Sequence, residues 1–96
     1  MAAYVIVDVD VVEPKPYQEY VRRVPPTIAR DGGRFLIRGG RSETLAGHWQ
    51  PQRIVVIEFP SIEQAKAWYA SPEYADLLQM RRRHARTNFL AIVEGV

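Results

Sequence analysis

The chain opens on a period-two pattern. From Tyr4 to Val12, Val5, Val7, Val9 and Val11 fall on one side, and Tyr4, Ile6, Asp8 and Asp10 on the other. Alternation among β-branched residues predicts a strand. Glu13-Pro14-Lys15-Pro16 breaks it. Tyr17, Tyr20, Val21, Val24 and Ile28 then recur at steps of three and four, the spacing of an amphipathic helix. Pro25 has no amide to give the Val21 carbonyl and its ring crowds that group, so a kink or restart is expected at Pro25-Pro26. Asp31-Gly32-Gly33 ends the helix as a C-cap.

Arg34 to Arg38 reads as a second strand, with Phe35 and Ile37 on one face and Leu36 and Arg38 on the other. Gly39 to Gln52 is a connection, long for a hairpin. Arg53 to Phe59 is a third strand. Ser61 to Ala70 is a helix opened by a capping box, Ser61 with Gln64. Ser71-Pro72 starts another, with serine as N-cap, proline in the first turn, and a stripe of Tyr74, Leu77, Leu78 and Arg81. Phe89 to Glu94 is the last strand. The order β-α-β-β-α-α-β predicts a single domain over residues 1–96: a ferredoxin-like α+β fold with a four-stranded antiparallel sheet and helices on one face.

Such a sheet leaves its second face uncovered, and that face should read polar. Here Tyr4, Ile6, Leu36 and Val56 share it with Asp8, Arg38 and Glu58. This is too apolar for water and too charged for a dry core. A second copy packed on it resolves the conflict, with Arg38 pairing with Asp8 or Glu58. The expected state is a homodimer in which two sheets close into a barrel.

Composition narrows the chemistry. At 96 residues the core is thin, so association helps it. The absence of cysteine excludes disulfides, thiolate nucleophiles and cysteine-based zinc sites. The first residues carry no basic stretch and no long apolar run, so a cytoplasmic protein without signal peptide or membrane span is expected.

Gly39-Gly40-Arg41-Ser42 resembles a phosphate loop only superficially. It lacks Gly-Lys-Ser/Thr and leads toward a strand, so a glycine-permitted bend is the better reading. The third strand does not present the aromatics of an RNA-recognition sheet. Arg81-Arg82-Arg83-His84-Ala85-Arg86 reads as charge favouring a helix C-terminus, so no nucleic-acid partner is expected. His48 and His84 lie far apart without metal-ligand spacing, so no metal is expected. No serine stands in a nucleophile motif. Arg81 continues an apolar stripe, so its guanidinium must find an acid, reach solvent or face a cavity. Trp68 and Tyr69 precede it, and two aromatics with an arginine by one cleft suit a small-molecule pocket.

Several blocks are spread along nearly the whole chain: Ala3-Tyr4-Val5-Ile6-Val7-Asp8, Val24-Pro25-Pro26-Thr27-Ile28, Gly32-Gly33-Arg34-Phe35, Arg38-Gly39-Gly40, Gly47-His48-Trp49-Gln50-Pro51, Glu58-Phe59-Pro60-Ser61 and Trp68-Tyr69-Ala70-Ser71-Pro72-Glu73-Tyr74. Together they resemble the uncharacterised family called domain of unknown function 1330. The resemblance implies a dimeric α+β barrel. By fold it points to cofactor-free antibiotic-biosynthesis monooxygenases, muconolactone isomerase-like proteins and haem-linked enzymes. It carries over no activity.

The sequence therefore predicts a homodimer binding a small organic molecule, without a cofactor, with Trp49, Trp68, Tyr69 and Arg81 as ligand-binding candidates. Arg38 and Glu58 are the catalytic candidates, on the analogy of a monooxygenase- or isomerase-like enzyme. An arginine beside Glu58 would lower its pKa and weaken it as a base, so that contact reads as structural first. The alternative is a non-catalytic interaction module whose barrel only joins two copies.

Overall fold

The computed structural model describes residues 1–96. Strand β1 spans Ala3–Val11, followed by α1 (Pro14–Arg30), β2 (Arg34–Arg38), β3 (Ile54–Phe59), α2 (Ile62–Tyr69), α3 (Pro72–His84) and β4 (Ala85–Glu94). The strands form one antiparallel sheet in the order β2-β3-β1-β4. This is the ferredoxin-like α+β fold that the pattern predicts. Val5, Val7 and Val9 point into the core, where they meet Tyr17, Val24 and Ile28 of α1, Trp68 of α2 and Tyr74 and Leu77 of α3.

Helix α1 departs from expectation at both prolines pairs. It starts at Pro14, because a proline in the first turn gives up an amide that has no helical partner anyway. It then runs through Pro25-Pro26 to Arg30 as one helix, not two. Packing of Val24 and Ile28 on the sheet outweighs the lost bonds. Its C-terminus is capped as predicted: Gly32 has φ +81°, and the Gly33 amide donates to the Ile28 carbonyl at 2.9 Å. The serine caps also hold, with Gln64 N donating to Ser61 Oγ and Tyr74 N to Ser71 Oγ, each at 3.2 Å.

Two irregularities re-aim side chains. In β2 the register slips between Phe35, opposite Ile57, and Ile37, opposite Val56, so Leu36 is an extra residue. A single-residue slip reverses the alternation beyond it. Phe35 stays on the helix face. Ile37, expected beside it, turns to the outer face, and Arg38, expected outward, turns to the helix side. In β4 the slip leaves Asn88 unpaired between Thr87 and Phe89. Strand β4 begins directly after α3, four residues before the expected Phe89, because the polar stretch Arg86-Thr87-Asn88 hides the alternation that pairs it with β1.

Candidate functional site

Between α1, α3 and the helix-side face of the sheet lies a narrow, partly enclosed cleft of about 40 Å³. Its walls are mainly apolar: Val7, Val9 and Ile57 from the sheet, Val21 and Val24 from α1, and Trp68 from α2. Trp68 is a wall and not a free donor, since its indole Nε1 donates to Thr27 Oγ1 at 3.0 Å. The polar groups facing the cleft are all of two kinds, the arginines Arg38, Arg53 and Arg81 and the tyrosines Tyr17, Tyr20 and Tyr74.

Each arginine is placed by a separate local cause. Arg38 reaches the cleft through the Leu36 bulge. Its Nη2 donates to the Val21 carbonyl, and its guanidinium lies over the Phe35 ring, 4.3 Å from the centroid. Val21 is the carbonyl that Pro25, four residues on, cannot bond, so the helix supplies an acceptor there. Arg53 is fixed by its backbone: its carbonyl accepts from Val9 N at 3.1 Å and its amide donates to Asp8 Oδ1 at 3.1 Å. Gly39 lets its side chain pass. At φ +72°, a Cβ on Gly39 would stand 2.8 Å from Arg53 Cζ. Arg81 is 4% exposed and meets no acid. Its Nη1 donates to Tyr74 Oη at 3.0 Å and its Nη2 to Tyr69 Oη at 3.2 Å, while its Nε is buried without a partner.

The tyrosines form a chain. Tyr20 and Tyr74 hydroxyls are 2.7 Å apart, and Tyr17 stacks on Tyr20 with centroids at 5.0 Å. Arginine only donates, so Tyr74 accepts from Arg81 and can pass its own hydrogen to Tyr20. Tyr20 then has a hydrogen left for an acceptor in the cleft. Burial raises the pKa of Tyr17 and Tyr74, and of Tyr20 well above the usual phenol value. All three are therefore protonated donors at neutral pH.

Residues 2–96 match the family described as domain of unknown function DUF1330. The chain belongs to that family. Similar solved structures include a protein of unknown function from Rhodopseudomonas palustris (TM-score 0.78, 17% identity, 99% of this chain and 82% of that one). Another is SnoaB, a cofactor-independent oxygenase from Streptomyces nogalater (TM-score 0.67, 13% identity, 99% and 93%). A third is a protein of the antibiotic biosynthesis monooxygenase type from Nitrosomonas europaea (TM-score 0.62, 18% identity, 100% and 99%). At such identities the likeness is one of fold. No curated protein matches the sequence.

In this DUF1330 chain the predicted site residues divide between the two faces of the sheet. Arg38, Trp68 and Arg81 line the cleft, and Tyr69 stands behind it as a partner of Arg81. Glu58 lies on the outer face, where it accepts from Arg34 Nε at 2.7 Å and from Tyr4 Oη at 3.2 Å. The expected Arg38–Glu58 contact is therefore absent, because the bulge carries Arg38 to the other side and Arg34 takes its place. The Arg34 hydrogen bond lowers the Glu58 pKa.

Trp49 also lies on the outer face. Its ring packs 5.5 Å from that of Phe89, and its Nε1 donates to Asp8 Oδ2 at 3.1 Å. Asp8 also accepts from Gln52 N at 3.0 Å and Asn88 Nδ2 at 3.3 Å. Burial pushes the Asp8 pKa up, but these bonds together leave it lowered. Instead of pairing with Arg38, Asp8 ties the long connection to the sheet and so fixes the start of β3, from which Arg53 reaches through to the cleft.

The sequence reading missed Arg53, Tyr17, Tyr20 and Tyr74 as cleft residues. Tyr17 and Tyr20 were signalled only as a helix stripe. Their hydroxyls, one turn apart on an otherwise aliphatic face, are the trace that a polar feature lies beneath that helix.

Proposed function

We propose that this protein is a homodimer that binds a small organic molecule in the cleft between its helices and its sheet. The observation that carries this reading is Arg81. A guanidinium 4% exposed, with a buried Nε left unpartnered, faces an apolar cleft whose only polar groups are arginines and tyrosines. A scaffold needing only to join two copies would place a hydrocarbon at that point in the helix stripe.

The outer face supports association of two copies. Leu36 and Ile37 are 46% exposed, Val93 49% and Trp49 50%. They surround Ile6 and Val56, which are paired in register at its centre. The charges there, Arg34 and Glu58, already satisfy one another. An apolar sheet face with its charges internally paired is suited to a second copy of itself.

The likeness to SnoaB, described as a cofactor-independent oxygenase, supports an enzymatic use of the cleft by analogy of fold. Glu58 is on the wrong face to act there. Proton transfer in the cleft would run through Tyr20 and Tyr74, and Arg38 would hold developing negative charge.

A thermal-shift screen of small aromatic and branched organic compounds tests the reading. A compound at a hundred times its dissociation constant adds about 2.7 kcal/mol of stability. The cleft-filling Val21→Trp should fold and lose the shift. A screen in which hits shift the wild type and Val21→Trp alike would contradict it. Sedimentation at micromolar concentration should show a dimer, and a well-folded monomer would refute that part.

A further inference from the structure

We infer that the ligand is an organic anion, a carboxylate on an apolar body, whose charged group is gripped by Arg38 and Arg53 at the mouth of the cleft. This rests on the reading of the cleft as a small-molecule site and adds the charge of the molecule.

The charge distribution carries the inference. The cleft is lined by three arginines and by no aspartate, glutamate or histidine. Elsewhere in the chain Arg22, Arg30, Arg34, Arg41 and Arg86 each pair with an acid, and the arginines that do not, Arg23, Arg82 and Arg83, lie on the solvent side of their helices. Arg38, Arg53 and Arg81 take part in none of the ion pairs, although they are brought together from β2, the start of β3 and α3. Like charges gathered in a partly desolvated space repel, and the fold retains that repulsion. Burial lowers the Arg38 pKa, and the nearby charge on Arg53 lowers it further.

The geometry suits a carboxylate. Arg38 is held from two sides, by the Val21 carbonyl and the Phe35 ring, so little freedom remains to be lost when it binds. A guanidinium presents donors in a planar fork that matches a carboxylate's two oxygens. Gly39, the residue after Arg38, leaves the Arg53 guanidinium the space that a Cβ would fill. Beyond the mouth the cleft narrows onto buried hydrocarbon and aromatic side chains, Val24 and Trp68 among them, which an apolar body must part to enter and which offer inorganic phosphate nothing. The Tyr20 hydroxyl, backed by Tyr74 and Arg81, supplies one donor deeper in.

The test compares matched probes. Phenylacetate, indole-3-acetate and 2-naphthoate, and the neutral primary amide of each, are titrated into the wild-type protein by calorimetry at low and high salt. At least one acid should bind about tenfold or more tightly than its amide, as charge-assisted bonds predict. High salt should weaken the acid and leave the amide unchanged. Arg53→Gln and Arg38→Gln should each remove most of the acid's advantage, weakening the acid far more than its amide. Equal affinity of acids and amides, or an advantage kept in both variants, overturns the anion assignment while leaving the cleft as a binding site. Binding of no probe of either charge contradicts the small-molecule reading itself.

Discussion

Arg38 donates to the main-chain carbonyl of Val21, the acceptor that Pro25 leaves free within α1. A helix defect and a strand defect thus meet. The proline releases a carbonyl, and the Leu36 bulge turns the arginine toward it. Neither feature serves local stability. Pro25→Ala should restore the amide, stabilise the protein by about 2 kcal/mol once the unfolded chain's gain in freedom is offset, and weaken anion binding because Arg38 loses its anchor. Chemical denaturation and calorimetry on the same variant check both parts. A variant that loses stability would mean that the proline serves packing instead.

Deleting Leu36 should remove the bulge. Phe35, Ile37 and Arg38 would then pair without interruption with Ile57, Val56 and Val55, so alternation keeps Arg38 on the helix side. The deletion variant is expected to keep its helical and sheet content by circular dichroism and to keep ligand binding. Lost binding in a variant that keeps its fold would show that the bulge itself, and not the strand register alone, aims Arg38 into the cleft.

Removing Arg81 should affect function and stability in opposite ways. Arg81→Met removes a buried charge that has only hydroxyl partners and leaves the Tyr69 and Tyr74 hydroxyls to rearrange. Replacing a buried charge by a hydrocarbon of similar length is often neutral or stabilising. The expected result is an unchanged or higher melting temperature with binding weakened about tenfold or more. A drop of many degrees with intact binding would make Arg81 a structural residue.

Asp8 predicts an acid-side loss of stability. Its folded-state pKa lies below its unfolded value, so its stabilisation is full above the unfolded pKa, near 4, and is lost as pH falls through the folded one. Asp8→Asn should flatten the stability profile in that acid range. Asp8→Ala leaves the Gln52 and Arg53 amides and the Trp49 indole without an acceptor, and should cost about 2 kcal/mol. Quenching of Trp49 fluorescence should change with it. Identical acid profiles for wild type and Asp8→Asn would contradict the role assigned to Asp8.

The sequence pattern made the sheet, the helices and their caps legible, because those depend on periodicity and on local capping chemistry. Val5, Val7 and Val9 alternate into the core as read, and Ser61, Ser71 and Gly32 cap as read. What failed to show was the site, for a single physical reason. A bulge inserts one residue without any composition signal, and here Leu36 looks like any strand residue. From that position on, alternation assigned Arg38 to the wrong face and paired it with Glu58. Arg53 was equally hidden, since its place depends on Asp8, 45 residues away in sequence. The Tyr74, Leu77 and Arg81 stripe did carry a signal, a charge where an apolar residue belongs, and that signal led to the cleft.

A crystal structure of the protein with whichever of the three acids binds most tightly is the most direct measurement. The carboxylate should lie between Arg38 and Arg53, with the hydrocarbon body against Val24 and Trp68. Density for the acid on the outer face beside Trp49, with the helix-side cleft filled by its own side chains, would contradict the assignment of the site.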